Sequence, residues 1–149
     1  MTATSPGSCP AVYGGKAFGQ RTLGAIRIAH QPGFDRIVFD FSSFGFGEEH
    51  GVPSFTLDQA VSFTAPSGQG VPVQGNARFS VRFRNVGPMG SYKGPADLLP
   101  NTPLVREVKL VEDFEGTMVW GIGLERLQCP RVQELSAPDR LVVDLPTPP

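Results

Sequence analysis

The stretch FDRIVFDF, residues 34–41, decides the fold class of this chain. Its side chains alternate between two faces, with Ile37, Phe39 and Phe41 on one and Arg36, Val38 and Asp40 on the other. A two-residue period is typical of a β-strand with one buried face. Residues 23–30 form a second strand-like run, and Gln31-Pro32-Gly33 between them is turn-forming because proline fixes φ and glycine permits the corner. We therefore predict an antiparallel hairpin.

The rest of the chain repeats this pattern of short strands and sharp corners. With 18 glycines and 15 prolines, which both disfavour helix interiors, the composition argues against long helices. We predict an all-β fold, a β-sandwich of about eight or nine short, mostly antiparallel strands with little or no helix. The remaining predicted strands are 55–63, 77–84, 104–113, 116–125, 131–135 and 141–145, with a short edge strand at 71–73 and one helical turn at 97–99.

The chain of 149 residues suits a single domain. Residues 1–22 are rich in Gly, Ser, Thr and Pro, and we predict a flexible N-terminal arm there. The β-sandwich domain then covers 23–146, and 147–149 form a tail.

Charge and hydropathy limit which partners and which cellular locations are plausible. A net charge of −1 argues against a general grip on nucleic acid, and no apolar run is long enough for a transmembrane segment. Residues 1–20 lack the basic and apolar regions of a signal peptide. Two locations stay open: the cytoplasm, or an extracytoplasmic site with the export signal not present in this chain.

The two cysteines, Cys9 and Cys129, allow two interpretations. They are unrelated thiols, or they form a disulfide that pins the arm to the domain. A disulfide would fit an exported protein better than a cytoplasmic one.

Residues that could carry catalysis or bind metal are few. Asp113 and Glu115 flank Phe114, and Glu48-Glu49-His50 is a second acidic cluster, but polar residues are also what turns favour. His30 and His50 have no spacing typical of metal ligands. We predict no catalytic residue, no metal site and no cofactor.

Arginine is the more promising binding group. Arg78, Arg82 and Arg84 share one face of the strand at 77–84, and the planar guanidinium suits carboxylates and phosphates. The alternative is an ordinary solvent face balanced by acidic residues on neighbouring strands.

Aromatic residues give two further alternatives. Three aromatic residues lie in loops: Phe44 and Phe46 between glycines, and Tyr92 in the long 85–103 connection. They are candidate platforms that bind sugar or peptide, or they cover the ends of the sandwich. Trp120 alternates with apolar residues and should be core. Gly121 and Gly123 then leave the opposite face flat for a ligand, a loop or another sheet.

Residues 138–146, PDRLVVDLP, resemble the closing strand of AMIN domains. They also echo residues 34–41, since both stretches contain Asp-Arg, three apolar residues, Asp and one apolar residue. The segments at 26–39, 105–108 and 113–124 are similar to AMIN-like domains in the same order.

This resemblance implies a non-catalytic β-sandwich of the bacterial cell envelope. AMIN domains localise amidases and secretion-pore proteins by binding peptidoglycan, and AMIN-like members often follow a lipoprotein or secretory signal. We therefore expect a cell-envelope module that binds peptidoglycan or another wall polymer. Its candidate binding residues are Arg36, Arg78, Arg82, Arg84, Arg140, Phe44, Phe46 and Tyr92.

Two other functions stay open. One is an interaction or structural module that contacts an envelope protein through edge strands and the 85–103 connection. The other is a small hydrolase using Glu48, Asp113 or Glu115.

Overall fold

The computed structural model describes residues 7–43 and 51–148. These residues contain ten β-strands and no helix, which confirms the predicted all-β class. In chain order the strands are β1 Val12–Gly14, β2 Arg21–Gln31, β3 Phe34–Ser43, β4 Phe55–Gln59, β5 Ala77–Arg84, β6 Asp97–Leu98, β7 Val105–Phe114, β8 Thr117–Leu124, β9 Arg131–Leu135 and β10 Asp139–Pro146.

The strands form two antiparallel sheets. One has six strands in the order β1-β4-β5-β8-β7-β6, and the other has four in the order β2-β3-β10-β9. The two-residue alternation of β3 and β5 places apolar side chains between the sheets. There Phe39 and Phe41 contact Phe83 edge to face, with ring centroids 5.2 and 4.9 Å apart. Trp120 is fully buried in the same core, as expected.

The hairpin predicted at residues 23–41 is present as β2 and β3. Its turn is Pro32-Gly33, and Gly33 has a φ of 90°, where a side chain would be strained. The register shifts between Leu23 and Ala25. This bulge lets Leu23 and Ile26 both point into the core although they are three residues apart.

Three details differ from the prediction. Asp97 and Leu98 pair with β7 as a short strand, and the predicted helical turn is wrong, because extension lets this segment join the sheet edge. The strand from residue 55 ends at Gln59 instead of 63, and residues 71–73 form no edge strand. Both changes have one cause, since residues 60–76 leave the sheet and fold over its outer face.

The described part of the N-terminal segment, residues 7–22, contacts the sandwich. Val12–Gly14 pairs with β4, and Cys9 is buried in the core. Cys9 is joined by a disulfide to Cys129, 120 residues later. A segment without strand-like periodicity is thus held by a cross-link and by backbone pairing, which its composition does not reveal.

A buried carboxylate links the two sheets. Asp35 at the start of β3 is fully buried, and one of its oxygens accepts hydrogen bonds from the backbone amides of Leu104 and Val105 at 2.8 and 2.9 Å. Its other oxygen lies 2.8 Å from Nδ1 of His30. The conformation at the start of β7 is therefore tied to the opposite sheet.

Among residues 7–43 and 51–148 no helix has the length and apolar character that a membrane crossing requires.

Candidate functional site

The outer face of the four-stranded sheet carries arginines and aspartates that the strand register places next to one another. We call it the arginine face. Its outward side chains include Arg27 and Ala29 from β2, Arg36, Val38 and Asp40 from β3, Arg140, Val142 and Asp144 from β10, and Arg131 and Leu135 from β9.

A shallow groove of about 390 Å³ lies on this face. Its apolar floor includes Val38 and Val142, which are only 8 % and 2 % exposed. The full lining is Arg27, Ala29, Gln31, Arg36, Val38, Leu135, Arg140 and Val142. An apolar floor with cationic walls can hold a ligand that combines an apolar surface with negative charge.

Two of the arginines are neutralised by carboxylates of the same sheet. Arg27 donates from Nε and Nη2 to the two oxygens of Asp40, at 3.0 Å each. Arg36 does the same to Asp144, at 2.8 and 2.9 Å. The hydrogen bond with Asp144 raises the pKa of the Arg36 guanidinium, so the guanidinium stays charged.

Arg140 is bound differently. Its Nη1 donates to the backbone oxygens of Ser136 and Pro138, at 3.3 and 2.7 Å. No acidic side chain forms an ion pair with it within the portion of the chain that the structure describes. The guanidinium is therefore held at the edge of the groove by neutral acceptors, and among the described residues no carboxylate pairs with it.

The structure does not bring the five predicted arginines together. Arg36 and Arg140 lie on the arginine face, whereas Arg78, Arg82 and Arg84 lie on the outer face of the six-stranded sheet. Arg78 donates from Nε to the oxygen of Val73 at 2.8 Å and so fastens residues 60–76. Arg82 pairs weakly with Glu112 at 3.9 Å, and Arg84 is exposed.

Residues 60–76, here called the cover segment, occupy the flat face above Gly121 and Gly123. Phe63 and Val73 of this segment pack there against Val111 and Val119. A Cβ at Gly123 would lie 1.6 Å from the oxygen of Gln74, so only glycine allows this approach. The flat face was expected to accept a ligand, a loop or another sheet. In the structure a loop, the cover segment, occupies it.

A buried glutamate holds the same segment. Oε1 of Glu107 on β7 accepts a hydrogen bond from the amide of Gln74 at 2.7 Å. Burial raises the pKa of Glu107, and a hydrogen bond with Asp97 adds to the rise. Nζ of Lys109 donates to the oxygen of Pro72 at 3.1 Å. The centre of this face is therefore used for internal packing.

Of the three aromatic residues predicted to form binding platforms, the structure describes Tyr92, and this residue is buried. Tyr92 is only 9 % exposed, packs edge to face on Trp120 and donates its hydroxyl to Pro95. Its ring belongs to the core. Phe44 and Phe46 lie outside the described residues.

The acidic candidates are also separated. Asp113 accepts a hydrogen bond from the amide of Gly90, and Glu115 lies exposed in the β7–β8 turn with a φ of 52°. Glu48, Glu49 and His50 lie outside the described residues, and His30 contacts buried Asp35. Across residues 7–43 and 51–148 no three acidic, histidine or cysteine side chains are grouped as a metal site requires.

Sequence reasoning missed Arg27 and Leu135 as members of the site. Arg27 lies between Ile26 and Ile28, a pattern that marks it as outward-facing. The missing information was the strand order, which places β2 and β9 on either side of the echoing pair β3 and β10.

The comparisons with known proteins agree with this architecture. The family model described as the AMIN-like domain matches residues 21–147, from the first residue of β2 to just past β10. Comparison with curated proteins and with solved structures gave no match. Because the match covers most of the chain and both sheets, the protein belongs to the AMIN-like domain family.

Proposed function

We propose that this domain is a binding module of the cell envelope that holds peptidoglycan or another wall polymer on its arginine face. AMIN-like domains are in general non-catalytic domains of the envelope. The observation that carries the proposal is the groove on the arginine face, with its apolar floor and its arginine walls.

The chemistry of the groove fits a wall polymer. Peptidoglycan presents sugar rings and methyl groups next to carboxylates. The apolar floor suits the first part of such a ligand, and the guanidinium of Arg140, which pairs with no acid among the described residues, suits the second. The floor residues Val38 and Val142 come from the two central strands, and the lining as a whole comes from all four strands. A groove across strands accepts an extended chain better than a closed pocket would.

An extracytoplasmic location is part of the proposal. The disulfide between Cys9 and Cys129 supports it, because disulfides persist in oxidising compartments and are rare in the cytosol.

A pull-down with purified peptidoglycan tests the proposal. We expect the wild-type protein to sediment with the polymer. The triple variant Arg27→Gln/Arg36→Gln/Arg140→Gln should reduce retention by at least about tenfold, since it removes charge-assisted contacts.

The matched control is the triple variant Arg84→Gln/Lys93→Gln/Arg106→Gln, which removes the same charge at exposed positions outside the groove. Full retention of this control would tie binding to the groove. Equal loss in both variants would show a general charge effect, and no retention of the wild type would refute wall binding.

A second candidate is docking of an envelope protein on the 85–103 connection. Met89 and Leu99 of this segment are 66 % and 61 % exposed and offer apolar contacts to a docked partner. Cross-linking in native envelopes tests this candidate. A single protein partner, captured through residues 85–103 and without glycan, would favour it over wall binding.

A further inference from the structure

The arginine face itself shows how it binds a carboxylate. Arg27 and Arg36 both use the edge formed by Nε and Nη2, and both bind the two oxygens of one aspartate. This side-on, two-bond geometry is a strong and specific way for an arginine to bind a carboxylate.

The same edge of Arg140 has no partner among the residues that the structure describes. Both of its hydrogen bonds come from Nη1 and go to the turn at residues 136–138, between β9 and β10. The turn therefore fixes one side of the guanidinium and leaves the Nε–Nη2 side for a ligand. A donor that is already held loses little freedom on binding.

The likeness between residues 34–41 and 138–145 explains why Arg140 has no acidic partner among the described residues. In the antiparallel pair β3 and β10, Arg36 lies opposite Asp144, and Arg140 lies opposite Asp40, with Val38 and Val142 between them. Of these two pairs, only Arg36 and Asp144 form an ion pair within the described residues. Asp40 is taken by Arg27 of β2, so Arg140 loses the partner that the symmetric arrangement would provide.

The neighbour of Arg140 on its other side is apolar. Leu135 of β9 lies opposite Arg140 and is 37 % exposed, and Val142 lies on the groove floor. The ligand group that fits is a carboxylate attached to a carbon with a small apolar substituent. A phosphate is less suitable because its extra oxygens would face the apolar side chains.

We infer that Arg140 binds the terminal carboxylate of a wall peptide, with the adjacent methyl-sized side chain against Leu135 and Val142. This inference rests on the proposed function and names the part of the polymer that the groove recognises. Arg27 and Arg36 then form the charged walls, and Arg140 is the residue that contacts the carboxylate.

Titration of the ¹⁵N-labelled full chain with N-acetyl-D-alanyl-D-alanine tests the inference. We expect shifts at the amides of Leu135 and Val142 and at Nε of Arg140. The C-terminal amide of the same peptide should bind at least about tenfold more weakly, because it cannot accept two charge-assisted hydrogen bonds.

Variants assign the effect to one side chain. Arg140→Gln should weaken binding of the acid by at least about tenfold, and Arg140→Lys should also weaken it because an ammonium lacks the planar edge. Arg106→Gln is the matched control, since Arg106 is exposed on β7 of the other sheet and pairs with Glu125, and it should bind as the wild type does.

Several results would overturn the inference. These are equal binding of the acid and the amide, undiminished binding by Arg140→Gln, or binding of inorganic phosphate as tight as that of the acid. Retention on peptidoglycan without any peptide shift would also overturn it, while the proposed function would stand. Peptide binding by a protein that peptidoglycan does not retain would support the carboxylate site and refute the proposed function.

Discussion

Replacing Asp35 by alanine should strongly destabilise this protein. The carboxylate is fully buried and accepts hydrogen bonds from the amides of Leu104 and Val105 and from His30. Alanine would leave two backbone donors buried without an acceptor at the junction of the two sheets.

The magnitude follows from these contacts. Each buried donor that loses its acceptor costs about 1–3 kcal/mol, so we expect a loss of about 3–5 kcal/mol for Asp35→Ala. That is a large part of the roughly 5–15 kcal/mol that stabilises a typical domain. Asp35→Asn keeps one oxygen for both amides but removes the charge, and the loss should be about half as large.

Urea unfolding of the disulfide-intact protein, followed by the fluorescence of buried Trp120, measures these changes. Asp58→Ala is the control, because Asp58 is exposed and its side chain bonds, within the described part of the chain, only to the amide of Gln59. Its effect should stay within about 0.5 kcal/mol. A loss below about 1 kcal/mol for Asp35→Ala, or equal losses for alanine and asparagine, would refute the reasoning.

Three further predictions concern the disulfide and the cover segment. The variant Cys9→Ser/Cys129→Ser should lower the free energy of unfolding by about 4–5 kcal/mol, because it opens a loop of 120 residues; urea unfolding measures this, and a change under about 1 kcal/mol would contradict it. Gly123→Ala should detach residues 60–76 and expose them to limited proteolysis, whereas Gly70→Ala, with open space around its Cβ, should not; equal cleavage of both variants would argue against close packing. Because burial raises the pKa of Glu107, the folded state holds that proton more tightly than the unfolded state. The free energy of unfolding of the wild type, relative to that of Glu107→Gln, should therefore fall as the pH rises from the ordinary glutamate pKa through the raised one. Urea unfolding of both proteins between about pH 4 and pH 8 measures this difference, and a difference that does not change with pH would contradict the prediction.

Much of the fold could be predicted from local pattern. The alternation in residues 34–41 and 77–84 defined which side chains face the core, and Pro32-Gly33 defined the first hairpin turn. The prediction failed where local pattern and pairing disagree. Asp97 and Leu98 carry no strand signal of their own and are extended because β7 offers an open edge.

The candidate site was only partly predictable. Arg36 and Arg140 were identified from the echo, but the strand carrying Arg78, Arg82 and Arg84 gave an equally clear signal. Alternation shows that a side chain points away from the core, and it does not show whether another segment then covers it. The cover segment on Arg78 is such a case.

The sequence by itself determined the fold class, the buried faces of the long strands, the hairpin turn and the family, because each depends on neighbouring residues along the chain. Only the tertiary structure decided which charges meet. Arg36 binds Asp144 across 108 residues, and Asp40 binds Arg27 instead of Arg140, because strand order and register place them so. The open guanidinium edge of Arg140 results from that choice of partners, which no local pattern encodes.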